Sequence, residues 1–316
     1  MDDFELARTS QFTIYNCQLA IRSGGFVVDR LGTVGIVGVG LIGATIGLAL
    51  RQRAVAGQVV GVDIDAQAIA AAREIGALDA GGADLDALRP ADLVVVAVPP
   101  DDVVSTAVQA AAVMKRGSIL TDVASTKAEI VRALDERLAG RVRYIGGHPM
   151  AGSEGRGARM ADPALLSGRP FLLTPTDRTD PAAVSTMTEV AEQLGMLPVL
   201  LSPDDHDDLV AQVSHLPYLM AVAAVGAATD RAIGIGGPAF GGLGRIARGP
   251  VELWVQICRS NRAAIRRALG QFRRELDRLE RAMEGEEPLE ILLQRSRRRA
   301  PVDGVPLDKP PRKSVT

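Results

Sequence analysis

Val34-Gly35-Ile36-Val37-Gly38-Val39-Gly40-Leu41-Ile42-Gly43 reads as a short apolar strand that runs into a glycine turn and then into a helix. Gly38, Gly40 and Gly43 fit the spacing G-x-G-x-x-G. In that pattern the first glycine permits a tight turn, the second lets backbone approach a pyrophosphate, and the third lets the new helix pack on the strand. The helix N-terminus then offers free N–H groups and partial positive charge to phosphates. The flanks agree: Thr33–Val37 is strand-like, Leu41–Arg53 is an Ala/Leu/Ile-rich helix, and a second strand, Gln58–Val62, ends at Asp63. A carboxylate about 20 residues past the last glycine is placed to meet the adenosine ribose hydroxyls. Asp63 and Asp65 repel a 2′-phosphate and Ile64 offers no basic replacement, so NAD is expected over NADP.

The 316 residues suffice for two domains. Hydrophobic residues make up 47%, enough for a core, and a formal charge of −2 with 3% aromatics gives neither the basic field nor the stacking platforms of a nucleic-acid binder. Cys17 and Cys258 are the two cysteines and form no C-x-x-C, so a disulfide framework or cysteine metal knuckle is excluded and a cytoplasmic location is expected. No signal-peptide core stands in the first 30 residues. The most apolar later run, Leu216–Ala228, is short for a bilayer span and is expected to be a buried helix, with no membrane partner.

Strand and helix signals alternate from residue 33 to about 175, as in a doubly wound, mostly parallel sheet of Rossmann type, and the dinucleotide-binding domain is expected to span 33–202. After Asp63 the expected elements are helix Ala66–Ile75 stopped by Gly76, strand Asp92–Val98, a helix to about Met114 capped by Asp101 or Asp102, and strand Ser118–Asp122. They continue with a helix to about Leu138, strand Arg143–Gly146, strand Phe171–Thr174, helix Pro181–Leu194 and strand Pro198–Leu201. From residue 203 to 285 strand signals vanish and an all-α domain is expected, pairing across a homodimer axis. Asp204–Ala228 reads as one helix that Pro217 should kink or break, Gly234–Gly249 as an irregular glycine-rich loop, and Pro250–Met283 as one long helix. Residues 1–32 read as an arm, and 286–316 as a disordered basic tail.

The chain has three histidines. His148 leaves a sheet strand in Gly146-Gly147-His148-Pro149-Met150-Ala151-Gly152-Ser153-Glu154, and Ser125 leaves another on the same edge. Ligands bind at the carboxyl ends of parallel strands, so both should enter the dinucleotide crevice, where an imidazole accepts a substrate proton as hydride leaves the same carbon. Ser125 equally fits a cap for the helix after it. His206, in Ser202-Pro203-Asp204-Asp205-His206-Asp207-Asp208, stands among acids that belong in a first helical turn, which favours a cap over a metal site. No metal is expected. His215, before Pro217, is either a pocket residue or a satisfied core histidine. Arg245, in Gly244-Arg245-Ile246-Ala247, either reaches a carboxylate from a loop or is a plain surface arginine.

Together these pieces resemble the prephenate/arogenate dehydrogenase family of tyrosine biosynthesis over about Thr33 to Met283. The markers are G-x-G-L-I-G at Gly38–Gly43, V-D at Val62-Asp63, V-P-P at Val98–Pro100, T-D-V-x-S-x-K at Thr121–Lys127 and H-P-M-A-G-S-E at His148–Glu154. S-H-L-P at Ser214–Pro217, R-I-A at Arg245–Ala247, P-x-E-L-W at Pro250–Trp254, and Asn261 complete them. The resemblance implies NAD-dependent oxidative decarboxylation of prephenate to 4-hydroxyphenylpyruvate and CO2, or of arogenate, or an amino-substituted analogue, to the amino product. It implies a cofactor site at Gly38, Gly40, Leu41, Ile42, Gly43, Asp63, Val98 and Pro99. His148 would take the proton, Ser125 orient hydroxyl and imidazole, Arg245 grip a carboxylate, His215 line the pocket, and Lys127 and Glu154 support the loops.

The chain departs from that pattern in three places. Tyr218 stands where the family often has a second histidine, in a position to affect the choice between keto and amino side chains. Gly241, Gly242 and Gly244 replace an arginine, an aspartate and a threonine, and Gln256 replaces an aspartate. A β-hydroxyacid dehydrogenase would need a catalytic lysine from the helical half, and no lysine lies between Lys127 and Lys309. A non-catalytic dinucleotide or tyrosine sensor on the same scaffold is the reading from a different class.

Overall fold

The computed structural model describes residues 30–152 and 155–300. Most of the N-terminal arm, Ser153, Glu154 and the end of the tail lie outside the described residues. The described chain divides into two compact units, one reaching Ala264 and one beginning at Ile265.

The first unit opens with β1 (Leu31–Val37), α1 (Leu41–Gln52), β2 (Ala56–Val62), α2 (Ala66–Glu74), β3 (Ala80–Gly82), β4 (Leu93–Val96), α3 (Pro100–Val113), β5 (Ile119–Asp122), α4 (Ala128–Arg137), β6 (Arg143–Pro149), β7 (Pro170–Thr174), α5 (Pro181–Gln193) and β8 (Leu197–Leu200). The strands form one sheet in the order β3-β2-β1-β4-β5-β6-β7-β8, parallel except for the β6–β7 pair. Alternate residues of the central strands feed two separate cores. Val34, Ile36, Leu93, Val95 and Ile145 pack on one face with α1 and α5. Val37, Val94, Val96, Leu120 and Tyr144 pack on the other with α3 and α4. Burial on both faces is why these strands read as continuous apolar runs. The chain order reverses between β1 and β4, which opens the crevice where such sheets take ligands.

Two details of this half differ from expectation. Neither Asp101 nor Asp102 caps α3: Pro99 is the capping residue, Pro100 starts the helix, and both aspartates lie in its first turn. Strand β6 runs three residues beyond Gly146. Its first part pairs with β5, and Gly146–Pro149 pair antiparallel with Phe171–Thr174. That extension carries His148 past the end of β5.

The helical part of the first unit holds α6 (Pro203–Val210), α7 (Leu216–Ala227), α8 (Asp230–Gly234), α9 (Pro238–Ala247) and α10 (Val251–Ser260). A π-helical turn, Ala211–His215, joins α6 to α7 without a break. This wide turn absorbs the proline that lacks an N–H, so Pro217 neither stops nor splits the run. The resulting helix, Pro203–Ala227, has 25 residues and by length and composition alone is long and apolar enough to cross a membrane; 28% of its most apolar stretch is buried. The expectation of a buried helix is corrected here: in α7 only Tyr218 and Ala221 are buried. Gly234–Gly249 is not irregular either, since most of it is α9. The long helix expected from Pro250 is interrupted at Asn261, which ends α10 with φ −107° and ψ 30°.

The second unit takes in α11 (Arg262–Met283) from Ile265 onward and α12 (Leu289–Arg299). Arg278 pairs with Glu287 at 2.8 Å across the turn between them. Where a disordered basic tail was expected, residues 289–299 are helical.

Candidate active site

The glycine turn is built as its spacing requires. Gly38 has φ +88°, and a Cβ there would stand 2.5 Å from the Ala97 carbonyl oxygen. A Cβ on Gly43 would strike the Gly38 carbonyl. Around Gly40 there is open space, with no heavy atom within 4 Å of a Cβ. Gly40 begins α1, whose first turn holds no acidic residue and no side-chain cap. An uncapped N-terminus beside open space fits a pyrophosphate. The Asp63 carboxylate accepts from the Val39 amide at 2.7 Å and from the Asp65 amide at 2.8 Å, which fixes it beside the turn with acceptor capacity left for a ribose. Leu41 and Ile42 open α1, and Val98 and exposed Pro99 follow β4 on the same edge of the sheet. Ile64, 99% exposed beside Asp63, supplies no cation at its own position. These residues fit a dinucleotide with two free ribose hydroxyls.

All three histidines meet at the carboxyl end of β6. His148 Nδ1 lies 2.9 Å from His206 Nε2, and His206 Nδ1 lies 2.8 Å from Asp207 Oδ1. Asp207 also accepts from the backbone amides of Lys127 (2.7 Å) and Ala128 (3.0 Å), the free donors at the start of α4. The Asn261 amide donates to the Asp207 carbonyl at 2.7 Å and to His215 Nδ1 at 3.3 Å. His215 Nε2 is buried with no hydrogen-bond partner among the described residues. Trp254 stands edge-on to His215 with ring centres 6.0 Å apart, and Tyr218 stacks flat on Trp254 at 3.6 Å.

Burial sets the charge state of this cluster. His148 is held well below the usual histidine range by burial first, then by His206, Lys127 and His215. Burial also lowers His206, against the pull of Asp207, and brings His215 to about 4. All three rings are therefore neutral near pH 7. Fully buried Lys127 pairs with Asp122, which also takes the Tyr144 hydroxyl at 2.8 Å and the Ala124 amide at 2.9 Å. A buried cation paired and hydrogen-bonded in this way holds the β5–α4 connection in place. Gly146 makes room beside it, since a Cβ there would stand 3.2 Å from Lys127 Cδ.

Ser125 sits half-buried in the β5–α4 connection and makes no hydrogen bond among the described residues. It does not cap α4; Asp207 does so from a distant part of the chain. Arg245 stands on the last turn of helix α9, not on a loop, and is exposed. Tyr218 is 8% exposed and spends one ring face on Trp254. Glu154 lies outside the described residues.

His206 is not part of a cap. Ser202 caps α6 by accepting from the Asp205 amide at 3.1 Å, while His206 and Asp207 are 0% and 5% exposed. A signal was present: His206, Asp207 and Val210 fall on one helical face, the face buried against α4 and β7. Among the described residues no group of three or more His, Cys, Asp or Glu side chains is arranged to hold a metal ion.

Comparison with known proteins gives two family matches: "Prephenate dehydrogenase, nucleotide-binding domain" over residues 46–200 and "Prephenate dehydrogenase, dimerization domain" over residues 202–294. A prephenate dehydrogenase of Bacillus subtilis is 27% identical over 285 residues, 87% of this chain and 76% of that protein. Among solved structures, prephenate dehydrogenase from A. aeolicus in complex with hydroxyphenyl propionate and NAD+ is similar at a TM-score of 0.79 and 28% identity, covering 85% of this chain and 97% of that one. Synechocystis arogenate dehydrogenase is similar at a TM-score of 0.73 and 30% identity, with 84% and 97% covered.

Proposed function

The chain belongs to the prephenate dehydrogenase family, and from that premise we propose that His148 takes the hydroxyl proton as prephenate loses hydride and CO2 to give 4-hydroxyphenylpyruvate. The protein is an NAD-dependent dehydrogenase; NAD, when bound, supplies the acceptor for the hydride. Gly38, Gly40 and the start of α1 hold its pyrophosphate, and Asp63 its adenosine ribose. The observation that carries the base assignment is a buried, uncharged imidazole at the end of β6, with one nitrogen engaged by His206. A neutral imidazole is the form that accepts a proton.

His215 has the opposite part. Asn261 occupies its Nδ1, so in a neutral ring the proton sits on Nε2 as a buried donor with no protein acceptor. An unmet donor is costly unless a ligand meets it, and a carboxylate or keto oxygen of the substrate answers that need. Tyr218 and Trp254 form an aromatic wall next to it. We assign Ser125 to orienting the substrate hydroxyl and Arg245 to a substrate carboxylate. An amino group in place of the keto group gives arogenate, which suits the same residues, and one of the similar structures is an arogenate dehydrogenase. Initial rates of NADH formation with each substrate test the reading: saturable turnover of prephenate above that of arogenate supports it, turnover of arogenate alone replaces the substrate, and turnover of neither rejects it.

The helical half matches a dimerisation domain. We assign the apolar residues that α7, α8 and α10 leave exposed, Val222, Ile233 and Val255 among them, to the surface covered by a second copy of the chain. We also assign the enzyme to the cytoplasm, a reading that rests on two cysteines without a C-x-x-C pair.

A further inference from the structure

We propose that His206 and Asp207 are positioning residues that hold His148 in its Nδ1–H form, so that Nε2 is the nitrogen that accepts the substrate proton. This rests on the assignment of His148 as the proton acceptor.

The protonation pattern follows from one end of a hydrogen-bonded row. The backbone amides of Lys127 and Ala128 can only donate, and they point at Oδ1 and Oδ2 of Asp207. Asp207 is thereby a carboxylate, further favoured by its seat at the N-terminus of α4. A carboxylate can only accept, so His206 Nδ1, 2.8 Å from Oδ1, carries a proton. In the neutral ring that burial imposes, His206 Nε2 then carries a lone pair. His148 Nδ1, 2.9 Å from that lone pair, must donate. A neutral His148 is left with its lone pair on Nε2. Without this row a free imidazole would distribute its proton over both nitrogens, and a fraction of the enzyme would present an N–H to the substrate hydroxyl.

The row also answers where the positive charge goes. When the substrate O–H bond breaks and Nε2–H forms on His148, the Nδ1 proton of His148 can pass to His206 Nε2. The cation then sits beside the Asp207 carboxylate, and the reverse passage returns the proton to His148, from which it leaves to water once product has gone. The other groups around the cluster do not take this part. Asp122 on β5 is engaged by Lys127 and by Tyr144 of β6, Lys127 is itself a cation, and His215 in the π-helical turn is tied to Asn261.

The chain has three histidines, which makes the imidazole nitrogens readable by 15N NMR and assignable with single substitutions. At pH 7 His148 and His206 are expected to carry their protons on Nδ1, and His215 on Nε2. A proton on Nε2 of His148 overturns the proposal whatever the activity. In His206→Leu, an Nε2–H population of His148 is expected to emerge, with kcat lowered roughly 10²-fold and KM for prephenate and NAD unchanged. An unchanged kcat in folded His206→Leu, alongside a collapsed kcat in His148→Asn, overturns this inference alone; an unchanged kcat in His148→Asn overturns the assignment beneath it. Should His206→Leu fail to fold, the nitrogen signals of the unsubstituted enzyme decide.

Discussion

Three imidazoles share one buried cluster, and the same burial that keeps them neutral makes stability depend on pH. Each has a folded-state pKa below the ordinary 6.5, His215 at about 4. Between 6.5 and that value the unfolded chain binds protons that the folded chain refuses, so stability is full above pH 6.5 and is lost as pH falls. For His215 alone the loss from pH 7 to pH 5 is roughly 2 kcal/mol. Urea midpoints at the two pH values measure it, and equal midpoints would mean that the rings are already charged in the folded protein. At the same scale, His148→Asn is expected to lower kcat by about 10²–10⁴, with NAD affinity intact by titration calorimetry. Asparagine keeps a polar group near His206 but cannot accept the proton.

Among the elements, β6 is the one on which the site depends. Its two glycines let it run on beside the end of β5: a Cβ on Gly147 would stand 2.8 Å from the Asp122 carbonyl oxygen and 3.0 Å from the Phe171 ring. Gly147→Ala is expected to push His148 off its line, lowering kcat more than tenfold and lowering the melting temperature. A variant with the melting temperature and kcat of the parent would show that the strand yields without cost. This strand also marks where sequence stopped being a sufficient guide. The β1–α1–β2 unit was legible because each of its glycines answers a local demand of turn, approach or packing. The extension of β6 was not, because its partner, β7, comes from a distant segment with an antiparallel direction. Helix α9 was hidden by composition. Gly241, Gly242 and Gly244 suggested a loop, yet they lie in a helix packed along α7, and tertiary contact outweighs a propensity deficit of about 1 kcal/mol per glycine. His206 was hidden by its neighbours, since Asp204 and Asp205 are what a helix start should hold and drew His206 and Asp207 into the same reading. Arg245 was expected on a loop and stands on helix α9.

For the whole molecule, the apolar surface of the helical half is the face assigned above to a second copy of the chain. Val222 is 42% exposed and Val255 50%, on helices that match a dimerisation domain, and apolar area of this kind is seldom left facing water. Light scattering at micromolar concentration is expected to give twice the 33.2 kDa chain mass, and Val222→Glu to give single chains; a parent that already runs as single chains rejects the assignment. The nucleotide-binding match ends at residue 200 and the dimerisation match starts at residue 202, so the bond between His148 and His206 is a stitch across that seam. On the assignment of His148 as proton acceptor, competence for proton transfer thus draws on residues from both sides of that seam.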